Sequence, residues 1–425
     1  MSERVFGQAL SRREWLGAAA GAVTGGFAFA RRAIAIERDD DRSRLERIVR
    51  IVREFGDQGI HRTATGVDRQ SGEWLAAEVQ RIGVDPTLEP FSISRIDPGD
   101  VFVAVGDRRV EGVPLFDASF TDAGGATGLL GPLGSDAEIA LTETAVNAAG
   151  AGPLGDARRA NRHKALVCVS RGGRPGLCPS NADAFLKPFG PPVVQVSSEH
   201  AEWLGEAARR RAPVRVVAPV TRTPAESSNV VGRIRGADPT LPPFVVMTPR
   251  SGWYACASER GGGIVCWLEV MRAIHAARPA RDVVFVASSG HELGHLGINA
   301  FVDRRPGIVS RSAGWLHLGA NIGAAVEPGT TVQASDDAFE GMLSEALTKA
   351  SVGIDRRVPR GTVPGGEAEV VHRGGGRYVS VIGRNALFHN PDDRGPQTVD
   401  ANAIARFADA FTTVATQLVG ELAIW

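Results

Sequence analysis

The 425-residue sequence has no excess of charge, few cysteines and no apolar run long enough to cross a membrane. Lys+Arg and Asp+Glu number 48 each, so no overall field attracts nucleic acid or an anionic membrane surface. No basic block is interleaved with aromatic residues, and nucleic acid is therefore not an expected partner. Hydrophobic residues make up 43% of the chain, as in a globular protein with a large core.

The four cysteines are scattered and lack the C-x-x-C spacing of cysteine zinc and redox sites. In an oxidising compartment Cys168 with Cys178, and Cys256 with Cys266, would each close a short loop. The alternative is four free, buried thiols. The sequence leaves both open.

The N-terminus resembles a twin-arginine export signal. Ser11-Arg12-Arg13-Glu14-Trp15-Leu16 precedes an uncharged run at 17–30 that is rich in glycine and alanine. Such a run makes a poor membrane span. We predict that residues 1–35 are a signal peptide and that the mature protein is periplasmic or extracellular. The alternative is a cytoplasmic helix with a chance arginine pair.

Three regions of different character follow the signal. Residues 41–55 and 71–83 have the apolar spacing of amphipathic helices. From about 101 to 219, short apolar runs alternate with loops rich in glycine and alanine, which indicates a small β-rich domain. The predicted domain ranges are 36–100 and 223–425 for a larger domain and 101–222 for the β-rich domain inserted into it.

The last region alternates strands with helices. Runs 244–248 and 282–288 are almost entirely apolar, as in strands buried on both faces, and a helix is predicted between them at 262–277. Glu259 is predicted to lie in the loop before that helix. The pattern indicates an α/β fold with a mixed, mostly parallel sheet and helices on both faces. Ligands bind such sheets beyond the carboxyl ends of the strands.

The stretch Gly290-His291-Glu292-Leu293-Gly294-His295 follows one of these strands and contains H-E-x-x-H. On a long helix, His291 and His295 would bind zinc and Glu292 would act as the base. Here the motif follows Ser288-Ser289 directly and Gly297 comes soon after, which favours a strand-to-helix corner. The helical zinc motif is kept as an alternative.

The order of segments from about residue 60 resembles the di-zinc exopeptidases of the aminopeptidase type, whose relatives include glutaminyl cyclase. The sequence resembles the form of this family that carries an inserted protease-associated domain. In this chain, FVVMTPRSGW is similar to the first zinc strand of the family. DVVFVASSGHELGHLGINAFV is similar to the family's paired-glutamate turn, and FHNPDD is similar to its last histidine turn. The resemblance implies the zinc exopeptidase fold.

Carried over position by position, the first zinc site of that family is lost. Its His-x-Asp strand end falls on Pro249 and Ser251, and its later Asp falls on Gly319 or Ala320. None of these replaces an imidazole or carboxylate ligand. Arg250 lies in the middle of the broken turn and could bind an anionic substrate group there.

The second zinc site is retained in this comparison. The resemblance implies a single zinc held by Glu259, Glu292 and His389, as glutaminyl cyclase holds one with Asp, Glu and His. His291 falls on the position of the general base and can do that work. Ser251 is a further catalytic candidate. The alternative metal ligands are His291, His295 and His317.

These residues predict an exported metal-dependent hydrolase that acts on a peptide or related amide through zinc. The alternative, from a different functional class, is a former peptidase that binds a ligand or partner. It is supported by the loss of family ligands at Pro249, at Ser251 and at Gly319 or Ala320.

Overall fold

The computed structural model describes residues 42–146 and 148–420. The chain divides into two compact units, of which the first, Met1–Val49, is described only from residue 42. The second unit, Arg50–Trp425, contains both strand systems and all of the candidate site residues. The predicted signal peptide lies outside the described residues. Within the described ranges, no helix combines the length and the apolar character needed to span a membrane.

The helices begin and end where the sequence supplies caps. In α2, the Thr65 side chain accepts a hydrogen bond from the Asp68 N–H, and Gly83 ends the helix with φ 95°. The helices are α1, residues 42–56; α2, Gly66–Ile82; α3, Gly152–Ala160; α4, Ala201–Arg209; α5, Ala257–Ala277; α6, Leu296–Asp303; α7, Ile308–Arg311; α8, Asp337–Lys349; α9, Ala368–Arg373; and α10, Ala401–Val419.

The strands form an eight-stranded sheet and a closed seven-stranded barrel. They are β1, Pro86–Pro98; β2, Phe102–Val105; β3, Arg108–Pro114; β4, Ala126–Pro132; β5, Ile139–Ala145; β6, Ala165–Arg171; β7, Val193–Ser197; β8, Pro213–Val217; β9, Val220–Ile234; β10, Phe244–Pro249; β11, Val283–Ser288; β12, Gly314–Leu318; β13, Gly329–Ala334; β14, Arg356–Arg357; and β15, Tyr378–Arg384.

The main sheet has the order β1-β9-β11-β10-β12-β15-β13-β14. Its central strands β11, β10, β12 and β15 are parallel to one another, whereas the pairs β1–β9, β9–β11 and β13–β15 are antiparallel. The predicted α/β class with a mixed sheet is therefore confirmed. The parallel centre matters most for function because it brings several strand carboxyl ends to one edge.

Both faces of the central strands are covered. On one face, Met247 of β10 packs in a buried cluster with Phe301 of α6. On the other, Trp267 of α5 contacts Phe285 of β11 edge-on, with ring centroids 5.7 Å apart, and its indole N–H donates to the Val246 carbonyl. Burial on both faces explains why residues 244–247 of β10 and 283–287 of β11 are all apolar.

The barrel has the order β2-β3-β7-β6-β5-β4-β8 and closes on itself. Its interior is filled by buried valines, including Val103, Val167, Val196 and Val216. A separate, smaller β domain is therefore present, as the sequence predicted. Its assignment as a protease-associated domain and the predicted domain limits stay predictions.

Helix α5 begins at Ala257, so Glu259 lies in its first turn and not in the preceding loop. The sequence-based placement was wrong because the glycines that follow Glu259 do not mark a helix start. They allow close packing: a Cβ on Gly262 would lie 1.8 Å from the Ile322 carbonyl oxygen. The helix start is set by Asp393, whose carboxylate accepts hydrogen bonds from the N–H groups of Ser258 and Glu259.

All four cysteines lie in the described part of the chain as buried thiols outside any disulfide, which decides between the two alternatives left open above. Burial raises the pKa of the Cys168 thiol to about 12 and that of Cys178 to about 11. These thiols are therefore protonated at neutral pH and unreactive in the folded protein.

Candidate functional site

The carboxyl ends of four parallel strands bring the candidate residues to one edge of the main sheet. Pro249 of β10 pairs with Ser288 of β11, and Met247 pairs with His317 of β12. The predicted site segments at 250–251 and 291–292 follow directly after β10 and β11. His389 follows β15, the next strand across the sheet.

Arg250 is buried in an ion pair at this edge. Its Nη1 lies 2.9 Å from Asp68 Oδ1, and both side chains are at most 1% exposed. Nη1 also donates to the Asp68 carbonyl, and Nη2 donates to the Ser228 carbonyl. Arg250 therefore presents no accessible group to a substrate anion, in contrast to its predicted role. Its contacts join α2 to strands β9 and β10 of the main sheet.

Ser251, Glu292 and Thr63 form a closed hydrogen-bond network. Ser251 Oγ donates to Glu292 Oε2 at 2.6 Å and accepts from the Gly290 N–H at 2.8 Å. The other oxygen, Oε1, accepts from the Thr63 N–H at 3.0 Å and the Thr63 hydroxyl at 2.5 Å. Both carboxylate oxygens are occupied by protein donors. The Ser251 proton points to Glu292 and not to an imidazole, which does not fit a nucleophile.

The H-E-x-x-H stretch is a corner and not a long helix. Residues His291–Leu293 make one helical turn, flanked by Gly290 and Gly294 with positive φ. His295 also has positive φ and precedes α6. His291 and His295 therefore do not lie on one α-helix, although their ring centroids are 5.0 Å apart. The alternative of a helical zinc motif is wrong for this backbone.

Glu259, Arg260 and His389 meet in the interior. His389 Nε2 lies 3.6 Å from Glu259 Oε1, and Arg260 Nη2 lies 2.7 Å from the same oxygen. Arg260 Nε donates to the Ser251 carbonyl at 2.7 Å. His389 Nδ1 lies 2.6 Å from the Pro179 carbonyl, to which it donates. Glu259 and His389 are thus brought together, as predicted, with a guanidinium beside them.

His291 and His317 lie on the other side of this cluster, near Glu367. His291 Nδ1 is 3.6 Å from Glu367 Oε1. His317 Nδ1 is 2.8 Å from the Ser380 hydroxyl, while its Nε2 has no partner. Gly366 allows the close approach, since a Cβ there would lie 3.0 Å from the His317 ring. Glu367 joins these histidines through a segment well separated from them in sequence.

The histidines of the cluster are neutral near pH 7. Burial lowers the pKa of His291 well below 6.5, that of His317 to about 4 and that of His295 to about 3. Burial also lowers the pKa of His389, although the nearby Glu259 opposes the shift. The Arg260 charge contributes to the lowering at all four rings. Neutral imidazoles can accept a proton or a hydrogen bond.

Residues 172–192, which we term the strap, connect β6 to β7 of the barrel and cover the cluster. The Pro179 carbonyl accepts from His389, and the Ala182 N–H donates to the Glu292 carbonyl at 2.8 Å. His291 keeps 6% exposure. The cluster residues that are at most 1% exposed are Glu259, Arg260, His317, Glu367 and His389.

The predicted zinc shell can be tested on these contacts. Catalytic zinc takes three protein ligands and a water. Both oxygens of Glu292 already accept hydrogen bonds from Thr63 and Ser251, and the Arg260 guanidinium places a permanent positive charge beside Glu259. Among the residues that the structure describes, no group of three or more His, Cys, Asp or Glu is arranged to hold a metal ion. As placed, these side chains do not fit zinc.

Sequence reasoning missed Arg260, Glu367, Thr63 and Asp68. Arg260 directly follows Glu259, a predicted ligand. The signal available in the sequence was a charged residue near the start of a helix that is buried. Glu367 precedes α9, with no motif to mark it. Thr63 lies 229 positions from Glu292, and no local pattern links residues that far apart.

Solved aminopeptidase structures share this fold. A zinc aminopeptidase from Bacillus subtilis superposes with a TM-score of 0.71 at 17% identity, covering 88% of this chain and 94% of that one. An aminopeptidase from Aneurinibacillus sp. strain AM-1 gives 0.67 at 16%, covering 90% and 96%. A peptidase M28 precursor from Shewanella amazonensis gives 0.68 at 14%, covering 90% and 97%.

No protein-family model matches the chain, and no curated protein matches it in sequence. The structural likeness extends over most of both chains, but the identities are low, so it establishes the fold and not the chemistry. The chain therefore has the fold of the zinc aminopeptidases, which is the fold that the resemblance in its sequence predicted.

Proposed function

We propose that this protein binds a peptide or a related amide at the carboxyl edge of its main sheet and does not hydrolyse it with zinc. Glu292 carries the proposal. Its two oxygens accept hydrogen bonds from Thr63 and Ser251, so a metal would have to share this carboxylate with protein donors already in place. The likeness to aminopeptidases supports the peptide or amide class of ligand. The predicted single-zinc hydrolase is the alternative that metal analysis separates from it.

The proposed ligand contacts the part of the site that reaches solvent. His291 keeps 6% exposure, and the neighbouring His295 is half-buried. The strap approaches this corner at Asp183, whose carbonyl oxygen would lie 2.7 Å from a Cβ on Gly294, and it carries the exposed apolar side chain of Leu186 three residues later. Neutral imidazoles at this opening can accept hydrogen bonds from the N–H groups of an uncharged amide.

The first prediction concerns metal and activity. Protein isolated without added metal or chelator is expected to contain no stoichiometric zinc. It is also expected to release no product from aminoacyl amides, before or after zinc is added. Elemental analysis and a product-release assay measure both. About one zinc per chain that disappears in Glu259→Ala and His389→Ala would contradict the proposal and restore the predicted hydrolase.

The second prediction concerns binding. His291→Ala is expected to weaken the binding of short peptides by about fivefold, because loss of one hydrogen bond to a partly buried group costs on the order of 1 kcal/mol. Titration calorimetry with a set of short peptides measures the change. His200→Ala, on the barrel at the start of α4, is the matched control and is expected to bind as the unaltered protein does.

A second candidate function is hydrolysis without metal. His291 Nδ1 faces Glu367 Oε1 at 3.6 Å, so the carboxylate can orient the ring and stabilise it after it takes a proton. A neutral His291 would then act as the base toward water. Product release that needs no metal and falls in Glu367→Gln would favour this function over simple binding.

We also propose that the protein is exported by the twin-arginine route, which rests on residues 11–16 and the uncharged run after them. Replacing Arg12 and Arg13 together by lysine is expected to leave the protein in the cytoplasm. Cell fractionation and immunoblotting measure this. The second arginine pair, Arg31 and Arg32, provides the control, and its double lysine variant is expected to be exported. Equal export of both variants would disprove the proposed signal.

A further inference from the structure

The interior cluster contains polar atoms that the protein leaves without hydrogen-bond partners. Burial of such atoms is costly unless something compensates it. Each of these atoms therefore needs compensation from a positive group, a hydrogen-bond donor or a bound ligand. The residues of the cluster with at least one such atom are Glu259, Arg260, His291, His317, Glu367 and His389.

The tautomer of His389 shows which kind of compensation is needed beside Glu259. Its Nδ1 hydrogen is used by the Pro179 carbonyl at 2.6 Å, so Nε2 carries a lone pair. That lone pair faces Glu259 Oε1, a carboxylate oxygen, at 3.6 Å. Two acceptors that face each other in a buried place repel unless a positive charge lies beside them. In a metal centre the ion provides that charge.

Arg260 provides it here. Its guanidinium is always charged, it is 1% exposed, and Nη2 lies 2.7 Å from Glu259 Oε1. The Ser251 carbonyl accepts from Nε and holds the side chain toward the cluster. The same charge acts on the four surrounding imidazoles, as their lowered pKa values reflect.

We propose that the Arg260 guanidinium is the resident cation of this site, in the position relative to Glu259 and His389 that a metal ion would take. Removing it would leave Glu259 and His389 as a latent, weak site for a divalent cation, completed by water. The inference rests on the proposed zinc-free function, and it adds the residue that excludes the metal.

The test compares three replacements in the full chain. Arg260→Met keeps much of the volume without the charge, and it is expected to raise the unfolding equilibrium constant about 10²- to 10³-fold because a buried carboxylate loses its partner. Arg260→Lys keeps the charge and is expected to lose much less stability. Arg260→Ala opens space and is expected to melt at a higher temperature when zinc is added, in a saturable manner.

Two controls make the zinc effect specific. Arg158 is equally buried and paired with Asp117 inside the barrel domain, so Arg158→Met should be destabilised without any response to zinc. Arg260→Ala combined with His389→Ala should also lose the response. Equal stability of the methionine and lysine variants would overturn the proposal, even if Arg260→Ala did not fold. A zinc response shared by Arg158→Met, or none in folded Arg260→Ala, would also overturn it. Stoichiometric zinc in the unaltered protein would instead refute the zinc-free function.

Discussion

Arg250→Met is expected to lower the free energy of unfolding by about 3–5 kcal/mol, the usual cost of breaking a buried ion pair by removing one partner. Asp68 would keep its charge in a site where it is 1% exposed. Its carboxylate still accepts from the Ala64 N–H and the Ser227 and Ser289 hydroxyls, but no other positive group of the described structure is paired with it. The loss would loosen α2 against the main sheet.

Guanidinium chloride unfolding followed by circular dichroism measures the change in stability. Arg211→Met removes an exposed ion pair with Asp136 on the barrel and is expected to cost at most about 1 kcal/mol. The predicted role of Arg250 as a substrate anchor would give the opposite pattern, with normal stability and altered binding. A value for Arg250→Met within the range of Arg211→Met would show that the buried pair contributes little.

The sequence predicts the main sheet well because its signals are local. The apolar runs at 244–248 and 282–288 became β10 and β11, and the residues after them reached one edge. Strand burial and chain order are encoded in neighbouring residues, and parallel strands then place their carboxyl ends together. The same reasoning predicted that Glu259 and His389 lie together. In the structure, His389 Nε2 is 3.6 Å from Glu259 Oε1.

The side-chain contacts within the site could not be predicted in the same way. Glu292 sits where a ligand was expected, yet Thr63 and Ser251 take up both of its oxygens. Arg250 points to Asp68, 182 positions away in sequence. Such contacts depend on side-chain direction and on which distant segment packs alongside. Motif spacing carries neither kind of information.

The stability of the protein is expected to fall as the pH decreases from 6.5 toward 4. Burial lowers the pKa of His61 to about 4, and the Arg250 charge adds to this, while burial lowers the pKa of His317 to about 4 as well. In the unfolded chain, histidine titrates near 6.5. Below that pH these histidines bind protons in the unfolded chain but not in the folded protein, so unfolding becomes more favourable. Above pH 6.5 the penalty is absent.

Each such histidine is expected to cost about 1.4 kcal/mol per pH unit within this window, or about 2 kcal/mol between pH 7 and pH 5. Carboxylates held by arginine act at lower pH. The Arg377 guanidinium lowers the pKa of Asp336 to about 2, so its contribution is lost only below about pH 3.8. Asp393 has the opposite sign, because burial raises its pKa and the folded protein gains protons there.

His317→Asn separates the histidine contribution from the others. The charged or titratable groups that act on the ring are Glu367, His295 and Arg260, and all remain in this variant. Loss of the ring lowers stability at every pH, but the further loss between pH 7 and pH 5 should be smaller than in the unaltered protein by about 2 kcal/mol. Denaturant unfolding at both pH values measures this difference, with His200→Asn as the control expected to keep the full dependence. An unchanged slope in His317→Asn would mean that His317 accepts its proton in the folded protein at ordinary pH, in which case the interior cluster is more open to water than its contacts indicate.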